Sequence, residues 1–469
     1  MSFFNRLAAR TTTIINRIAE EVFDLKIDEE QTRSVVDRCL EAYHGTPDWL
    51  EPGSELKSIN FTKTICEELA RLVTMNIQIS IDGSARAEWL DEQLHLSDRR
   101  FRRWVELGCA SGLVIVKPNG DTIDLYLPGQ YLIVKTVADE ITEIVFQDVE
   151  KVGDTYFTKL EYHKRANGRY TVQNRTFASK SKGNIGDLIE ITLTPWAELA
   201  EEVEIENVDQ NLFGSFFMPS VNNENLDSSI GLPVVSNSLV ELEGLDRAFH
   251  LLKDEIDDSQ RIVMLDSDRL MYGAVGQNAL TDFDQAQQIV ERSGLPKYVK
   301  LVEGSTSIEN EVYHEINPNL NTETRIKGID AYLSQIGFKC GFSNGYFVFN
   351  EKTGMITATQ VESDDRRTIQ TINDIRRQFR ACIDGVIYAL NAFADAYGLA
   401  PYGEYEIAYN FDDITLNEEE DRARWYGYVQ SGYIPFWYYL TKFEGYSEDK
   451  ARELEAAVQT PEPIYPEEE

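Results

Sequence analysis

Five histidines (His44, His95, His163, His250, His314) and five cysteines (Cys39, Cys66, Cys109, Cys340, Cys382) are the side chains of this sequence best suited to metal binding or nucleophilic chemistry. Their spacing supports neither. No HExxH pair and no CxxC pair occurs, and an odd set of scattered cysteines makes neither a zinc site nor a disulfide framework, which fits synthesis in a reducing compartment. No GxSxG elbow is present, and a lone serine or cysteine without a traceable base is not an activated nucleophile. With 80 acidic residues, any two carboxylates could be set up as a glycosidase pair, so such a pairing carries no information. The small-residue turn Gly108-Cys109-Ala110-Ser111-Gly112 lacks the GxxxxGK[ST] spacing of a phosphate loop and leads into the run Leu113 to Val116, where a nucleotide loop would open a helix. It reads as a helix-to-strand junction. Arg99, Arg100, Arg102 and Arg103 surround Phe101 and Trp104, a mixture that can stack on nucleic acid, but in a chain of net charge -35 these arginines are expected to pair with carboxylates. The expectation is a protein that is not an enzyme, with no cofactor and no metal.

The elements that would position any functional residue are easier to read. At 469 residues with 42% hydrophobic content the chain has material for two to four domains, and no stretch approaches the roughly 20 apolar residues of a membrane helix. The N-terminus lacks the apolar run of a secretory signal. Residues 1–57 read as a helical arm. An amphipathic helix from Ser58 leads to an alternating strand at Ile77, Ile79 and Ile81, and a second helix is expected over Glu88 to Ala110. Residues 121–194 read as strands, with Tyr156, Thr158, Leu160 and Tyr162 alternating as in a half-exposed antiparallel sheet, followed by an acidic loop to Asp209. Helices are expected over Leu239 to Ser259 and Thr322 to Gly337, flanking a small mixed unit.

The longest periodic segment follows a glycine- and aromatic-rich turn, Gly341 to Phe349. Val361, Ile369, Ile372, Ile375, Phe379, Ile383, Val386, Leu390 and Phe393 step mostly by three or four, and Gly398 and Pro401 close the pattern. From Gln360 to Tyr397 such a helix would be roughly 57 Å long at about 1.5 Å per residue. Thr359 and Glu362 have capping-box spacing at its start, and Asp364 and Asp365 complement the helix dipole. Residues 399–469 hold 17 acidic and 5 basic residues with two aromatic clusters, and Pro461 to Glu469 is expected to be disordered.

The wording Gly341-Phe342-Ser343 with Gly345, Phe347 and Phe349, then Thr357-Ala358-Thr359-x-Val361-x-Ser363, resembles the signature of tailed-phage portal proteins of the SPP1-like group, the head-to-tail connectors. Glutamate is usual in that family where this chain has Gln360. Only the region around 341–363 is specific at residue level, although the order of elements is similar from about 58 to 395. The resemblance implies an α+β portal fold: an N-terminal arm (1–57), an α/β wing (58–238), a stem helix (239–260), a clip (261–320), a returning stem helix (321–340), a tunnel-loop region (341–358), a spine helix (359–398), and an acidic helical crown with its tail (399–469).

It further implies a homo-oligomeric ring of twelve subunits at one capsid vertex of the virion, assembled in the host cytoplasm. Double-stranded DNA would pass through without sequence-specific binding during packaging, retention and ejection. The implied partners are the terminase large subunit, a head-completion adaptor, and the major capsid and scaffold proteins, with no membrane. The tunnel-loop candidates are Asn344, Asn350, Glu351, Lys352 and Thr353, and the helix cap is Thr359 with Glu362. Net charge suits a channel, because an acidic wall repels the DNA backbone within a Debye length of roughly 8 Å and offers no binding register. The alternatives are a minor head-morphogenesis protein without a channel, and an acidic, aromatic-rich glycan-active enzyme. Three long amphipathic helices are expected to carry more apolar surface than one subunit hides, so neighbouring copies would cover the rest.

Overall fold

One helix of 40 residues, α7 (Ala358–Tyr397), runs through the larger part of this computed structural model. The structure describes residues 18–25, 30–51, 53, 55–120, 122–138, 140–206, 208–225, 231–258, 262–266, 299–302, 313–316, 321–348, 358–411 and 418–457. The architecture is mixed α+β. The chain divides into two compact units, Met1–Asn410 and Phe411–Glu469.

Helix-spaced apolar residues make α7 an internal element of the first unit. Ile372, Ile375, Phe379, Ile383, Val386 and Leu390 are all buried within the single chain. They pack against helix α2 (Phe61–Val73), helix α3 (Ala85–His95) and strands β2 (Leu113–Asn119) and β10 (Gly214–Phe217). The crossing with β10 is close because both partners are glycines there: a Cβ on Gly214 would lie 2.1 Å from the Cys382 carbonyl oxygen, and one on Gly385 would lie 3.0 Å from Gly214 Cα. Strand β1 (Gln78–Asp82) pairs antiparallel with β14 (Glu406–Asn410), tying the start of the unit to its end.

Within residues 58–238 lies a six-stranded antiparallel sheet of β4 (Tyr131–Val137), β5 (Glu140–Val152), β6 (Thr155–Ala166), β7 (Arg169–Ser179) and β8 (Asp187–Ile189), with β9 (Glu202–Glu206) also on β7. Because side chains alternate along each strand, it has two distinct faces. On one, Ile133, Ile144 and Phe146 meet Leu113 and Ile115 of β2, Tyr126 of β3 (Thr122–Tyr126), and Phe213. On the other, Leu132, Val145, Leu160, Tyr162 and Phe177 are covered by Ile18, Ala19, Val22, Phe23 and Leu25.

Helix α5 (Leu239–Asp258) pairs with α6 (Thr322–Lys339). Between them in the chain lie β11 (Ile262–Asp266), β12 (Val299–Val302) and β13 (Tyr313–Ile316), a mixed sheet in the order β12-β11-β13 with one parallel and one antiparallel pair. Leu242 and Leu245 of α5 are buried, whereas Leu251 and Ile256 further along are exposed. In the second unit, helices α8 (Glu418–Gln430), α9 (Phe436–Glu444) and α10 (Glu448–Ala457) pack in succession. No helix among the described residues is long and apolar enough to cross a membrane.

Four expectations change. The helix expected over 88–110 is broken into α3 and α4 (Phe101–Ser111) by a 3-10 turn at Asp98–Arg100, which turns Phe101 and Trp104 into the core, with Phe101 5.5 Å from the Phe379 ring. The acidic loop reaching Asp209 contains strand β9, whose alternating Glu and Val/Ile residues suit pairing with β7. Residues 406–410, expected with the crown, complete a sheet in the first unit. The middle of the α7 stripe, Ile372 to Leu390, is covered within one chain, which reduces the surplus on its described residues to the half-buried Ile369 and Phe393.

Candidate functional site

The sequence-specific turn after α6 is described up to Val348. It forms a joint among three helices. Gly341 ends α6 at φ 92°, a left-handed backbone that glycine adopts without strain, and a Cβ there would meet Thr371 at 2.6 Å. The amide of Phe342 then donates to the Gly337 carbonyl at 2.9 Å, closing the helix end. Phe342 is fully buried, with its ring 4.8 Å from those of both Tyr346 and Phe347, and Phe347 sits edge-on to Phe61 of α2 at 5.1 Å.

Hydroxyls fasten the same turn to α7. The Ser343 amide donates to Thr368 Oγ1 at 2.8 Å, the two hydroxyls lie 3.0 Å apart, and Thr371 Oγ1 donates to the Gly341 carbonyl at 2.8 Å. These groups bond to the backbone and to each other, which makes them fasteners and not nucleophiles. Tyr346 donates to Glu68, which also takes two hydrogen bonds from Arg71 at 2.6 and 2.8 Å. Arg71 holds the Glu68 carboxyl below its ordinary range, against burial and with help from Tyr346, while burial and then Glu68 push the Tyr346 hydroxyl up.

Of the expected loop residues, Asn344 is exposed and accepts a hydrogen bond from Ser334 Oγ at 2.6 Å. Asn350, Glu351, Lys352 and Thr353 lie outside the described residues. Thr359 and Glu362 fall in the first turns of α7, and the capping contact itself lies outside the described side chains.

Arginines finish the helix ends around this joint. Arg367 donates to the Phe338 carbonyl in the last turn of α6 at 3.0 Å and lies 3.9 Å above the Phe338 ring. Arg376 donates to the carbonyls of Val73 and Leu72 at the end of α2, at 3.1 and 3.4 Å. Arg86, only 2% exposed, reaches the end of α7: it donates to the carbonyls of Asn391, Ala400 and Pro401 and to the side chains of Asn391 and Asp395, at 2.7 to 3.0 Å. Carbonyls in the last turn of a helix lack partners within it and carry its negative pole, so a cation suits the positions of Arg367 and Arg376, whereas Arg86 ties the segment after α7, at Ala400 and Pro401, back to that helix. Of the arginine cluster at 99–103, Arg102 pairs with Glu67 at 3.4 Å as expected, and Arg100 instead donates to the Ile123 carbonyl at 2.8 Å.

The six-stranded sheet holds a charged cluster that the sequence pattern did not reveal. Glu161 of β6 meets Lys117 at 2.5 Å, Lys159 at 2.7 Å and His163 Nε2 at 2.6 Å; His163 Nδ1 lies 2.8 Å from the Tyr170 hydroxyl. Lys159 is also 3.1 Å from Asp148, which accepts from Tyr126 at 2.8 Å. The Lys117 ammonium lies 4.8 Å from the Phe146 ring. Lys159, Glu161 and His163 alternate along one strand and read as a solvated face; packing β2 and β3 over that face buries all three. One sign was legible: Lys117 directly follows the apolar run Leu113 to Val116, and a cation in a buried strand requires an internal partner.

Burial by itself raises the Glu161 carboxyl, but Lys117, His163 and Lys159 overcome it and hold the group well below its ordinary range. Burial keeps His163 below its ordinary value of 6.5, hence neutral. The residue types suit acid–base chemistry, but their burial keeps substrate away, so the cluster is structural. Among the described residues no group of three or more His, Cys, Asp or Glu side chains is arranged to hold a metal ion. No protein-family model matches this chain, and no curated protein is significantly similar to it.

Proposed function

We propose that this protein is a portal subunit of a tailed phage, one copy of a ring through which double-stranded DNA is packaged, retained and ejected. The observation that carries the reading is an order of elements joined to a sequence signature. Helix α5, a small mixed sheet, helix α6, a knotted turn and the 40-residue α7 follow one another, and the turn is where the wording resembles the portal family. The joint supports a tunnel loop mechanically: residues 349–357 connect the start of α7 to a turn that the hydroxyls of Ser343, Thr368 and Thr371 fasten to that same helix.

A ring needs a heterologous interface, in which one face of a subunit meets a different face of the next. The outer part of α5, where Leu251 and Ile256 are exposed, is the surface we assign to it. The net charge of -35 suits a channel wall that does not hold DNA. In this reading the ring has twelve subunits, the unit between the stem helices docks the terminase large subunit and later the head-completion adaptor, and capsid and scaffold proteins contact the outside.

Negative-stain imaging and light scattering of the purified protein test the proposal. Closed rings are expected. A monomer at micromolar concentration under all ionic conditions overturns it and leaves the minor head protein as the better reading. Leu251→Glu with Ile256→Glu should prevent closure while leaving the circular dichroism of the subunit unchanged.

A further inference from the structure

The second unit solves its packing in an unusual way. Of its described residues only Ala451 is fully buried, although α8 to α10 and their turns carry Trp425, Tyr426, Tyr428, Tyr433, Phe436, Trp437, Tyr438, Tyr439, Phe443 and Tyr446. The rings form a continuous row. Trp425 touches Tyr428 edge-on at 6.2 Å and stacks on Tyr438 at 5.7 Å, and Tyr438 in turn meets Trp437 at 5.7 Å. The unit's own cations sit on this row: Lys442 lies 3.8 Å from the Trp425 ring centre and Arg452 lies 4.5 Å from that of Trp437. Tyr428 and Tyr438 are each 42% exposed.

Charge decides what covers them. Residues 411–469 hold fifteen acidic and five basic residues, a surplus of ten negative charges. Of the five, Arg422, Lys442, Lys450 and Arg452 are already held by rings or by Glu444, Glu448 and Glu453. A second copy brings the same surplus and is repelled, as is nucleic acid. A segment rich in arginine or lysine is attracted, and its cations find aromatic faces of the kind the unit already uses for its own.

We infer that the row Tyr428-Trp425-Tyr438-Trp437 is a docking surface for a basic protein segment, with the exposed rings of Tyr428 and Tyr438 receiving cations of the partner. The inference does not depend on ring closure, and its test is independent of it.

A fluorescent nona-arginine peptide titrated into the full-length protein, followed by anisotropy, provides the measurement, with a glycine–serine peptide as control. Nona-arginine is expected to bind and the control is not. Tyr428→Ser and Tyr438→Ser should each weaken binding by about two- to five-fold, the effect of one exposed cation–π contact, while Tyr428→Phe and Tyr438→Phe keep the ring and retain binding. The serine variants leave net charge unchanged, so binding that they do not weaken is attraction to the acidic chain as a whole and overturns the inference. Absence of binding overturns it, as does equal binding of the control. Serine variants that change sedimentation without changing peptide affinity assign the surface to a second copy instead.

Discussion

The six-stranded sheet and the surroundings of α7 both bury cations, and they do so by different means. In the sheet, Lys117 and Lys159 are held by a carboxylate, Glu161, that a neutral histidine also contacts, and Lys159 by Asp148 as well. Around α7, Arg376 is held by peptide carbonyls at the end of α2, and Arg86 by three peptide carbonyls with the Asn391 side chain and the Asp395 carboxylate beside them. A carboxylate supplies a full charge but can be protonated. Carbonyl dipoles supply less and do not titrate. The anchorage around α7 therefore depends on pH less, through the half-exposed Asp395 carboxylate beside Arg86, and the one in the six-stranded sheet depends on it more.

The largest effect is expected where a single change strips the countercharge from buried Lys117 and one of the two carboxylates from Lys159. Glu161→Gln keeps the shape and should cost about 3–5 kcal/mol, as for other buried pairs broken on one side, seen as a lowered denaturation midpoint. Arg86→Met comes next. It removes five hydrogen bonds and leaves the carbonyls of Asn391, Ala400 and Pro401 to solvent or nothing, for about 2–3 kcal/mol, with faster hydrogen exchange at the end of α7 and in β1 and β14. If the two variants show the same pH dependence, the contrast between the regions is wrong.

Acid should act on the six-stranded sheet first. His163 binds a proton less readily in the fold than at its ordinary value of 6.5, so below about pH 6.5 the unfolded chain takes up a proton that the folded chain refuses. Stability is intact above that pH and falls as pH drops. Glu161, also depressed, extends the loss below its ordinary value of 4.5. Hydrogen exchange of β5 to β7 should therefore quicken between pH 7 and 5 while the middle of α7 holds its protection. The smallest effect is expected for Arg367→Ala, an exposed residue on one carbonyl, at about 0.3–1 kcal/mol and without pH dependence over that range.

Much of the architecture was legible because it rests on local pattern. The periodicity of Ile372 to Leu390 dictates a long helix with one apolar side, and Gly341 marks a left-handed helix end that a β-carbon would disturb. The alternation of β5 to β7 and the turn glycines between them specify an antiparallel sheet, since side chains on successive residues must point to opposite faces. The same alternation could not say whether the second face meets water. Lys159, Glu161 and His163 are the residues a solvated face would carry, and they are buried only because β2 and β3, distant in sequence, close over them.

The arginine caps were equally hidden. Nothing near Arg86 in the chain indicates that it ties α7 to the segment that follows it, more than three hundred residues later, because backbone carbonyls have no sequence signature of their own. Local sequence determined the helices, the strands and the joint at Gly341, through steric and periodic rules that act within a few residues. Tertiary structure alone decided which charges are enclosed and what neutralises them, since desolvation depends on the distant elements brought into contact.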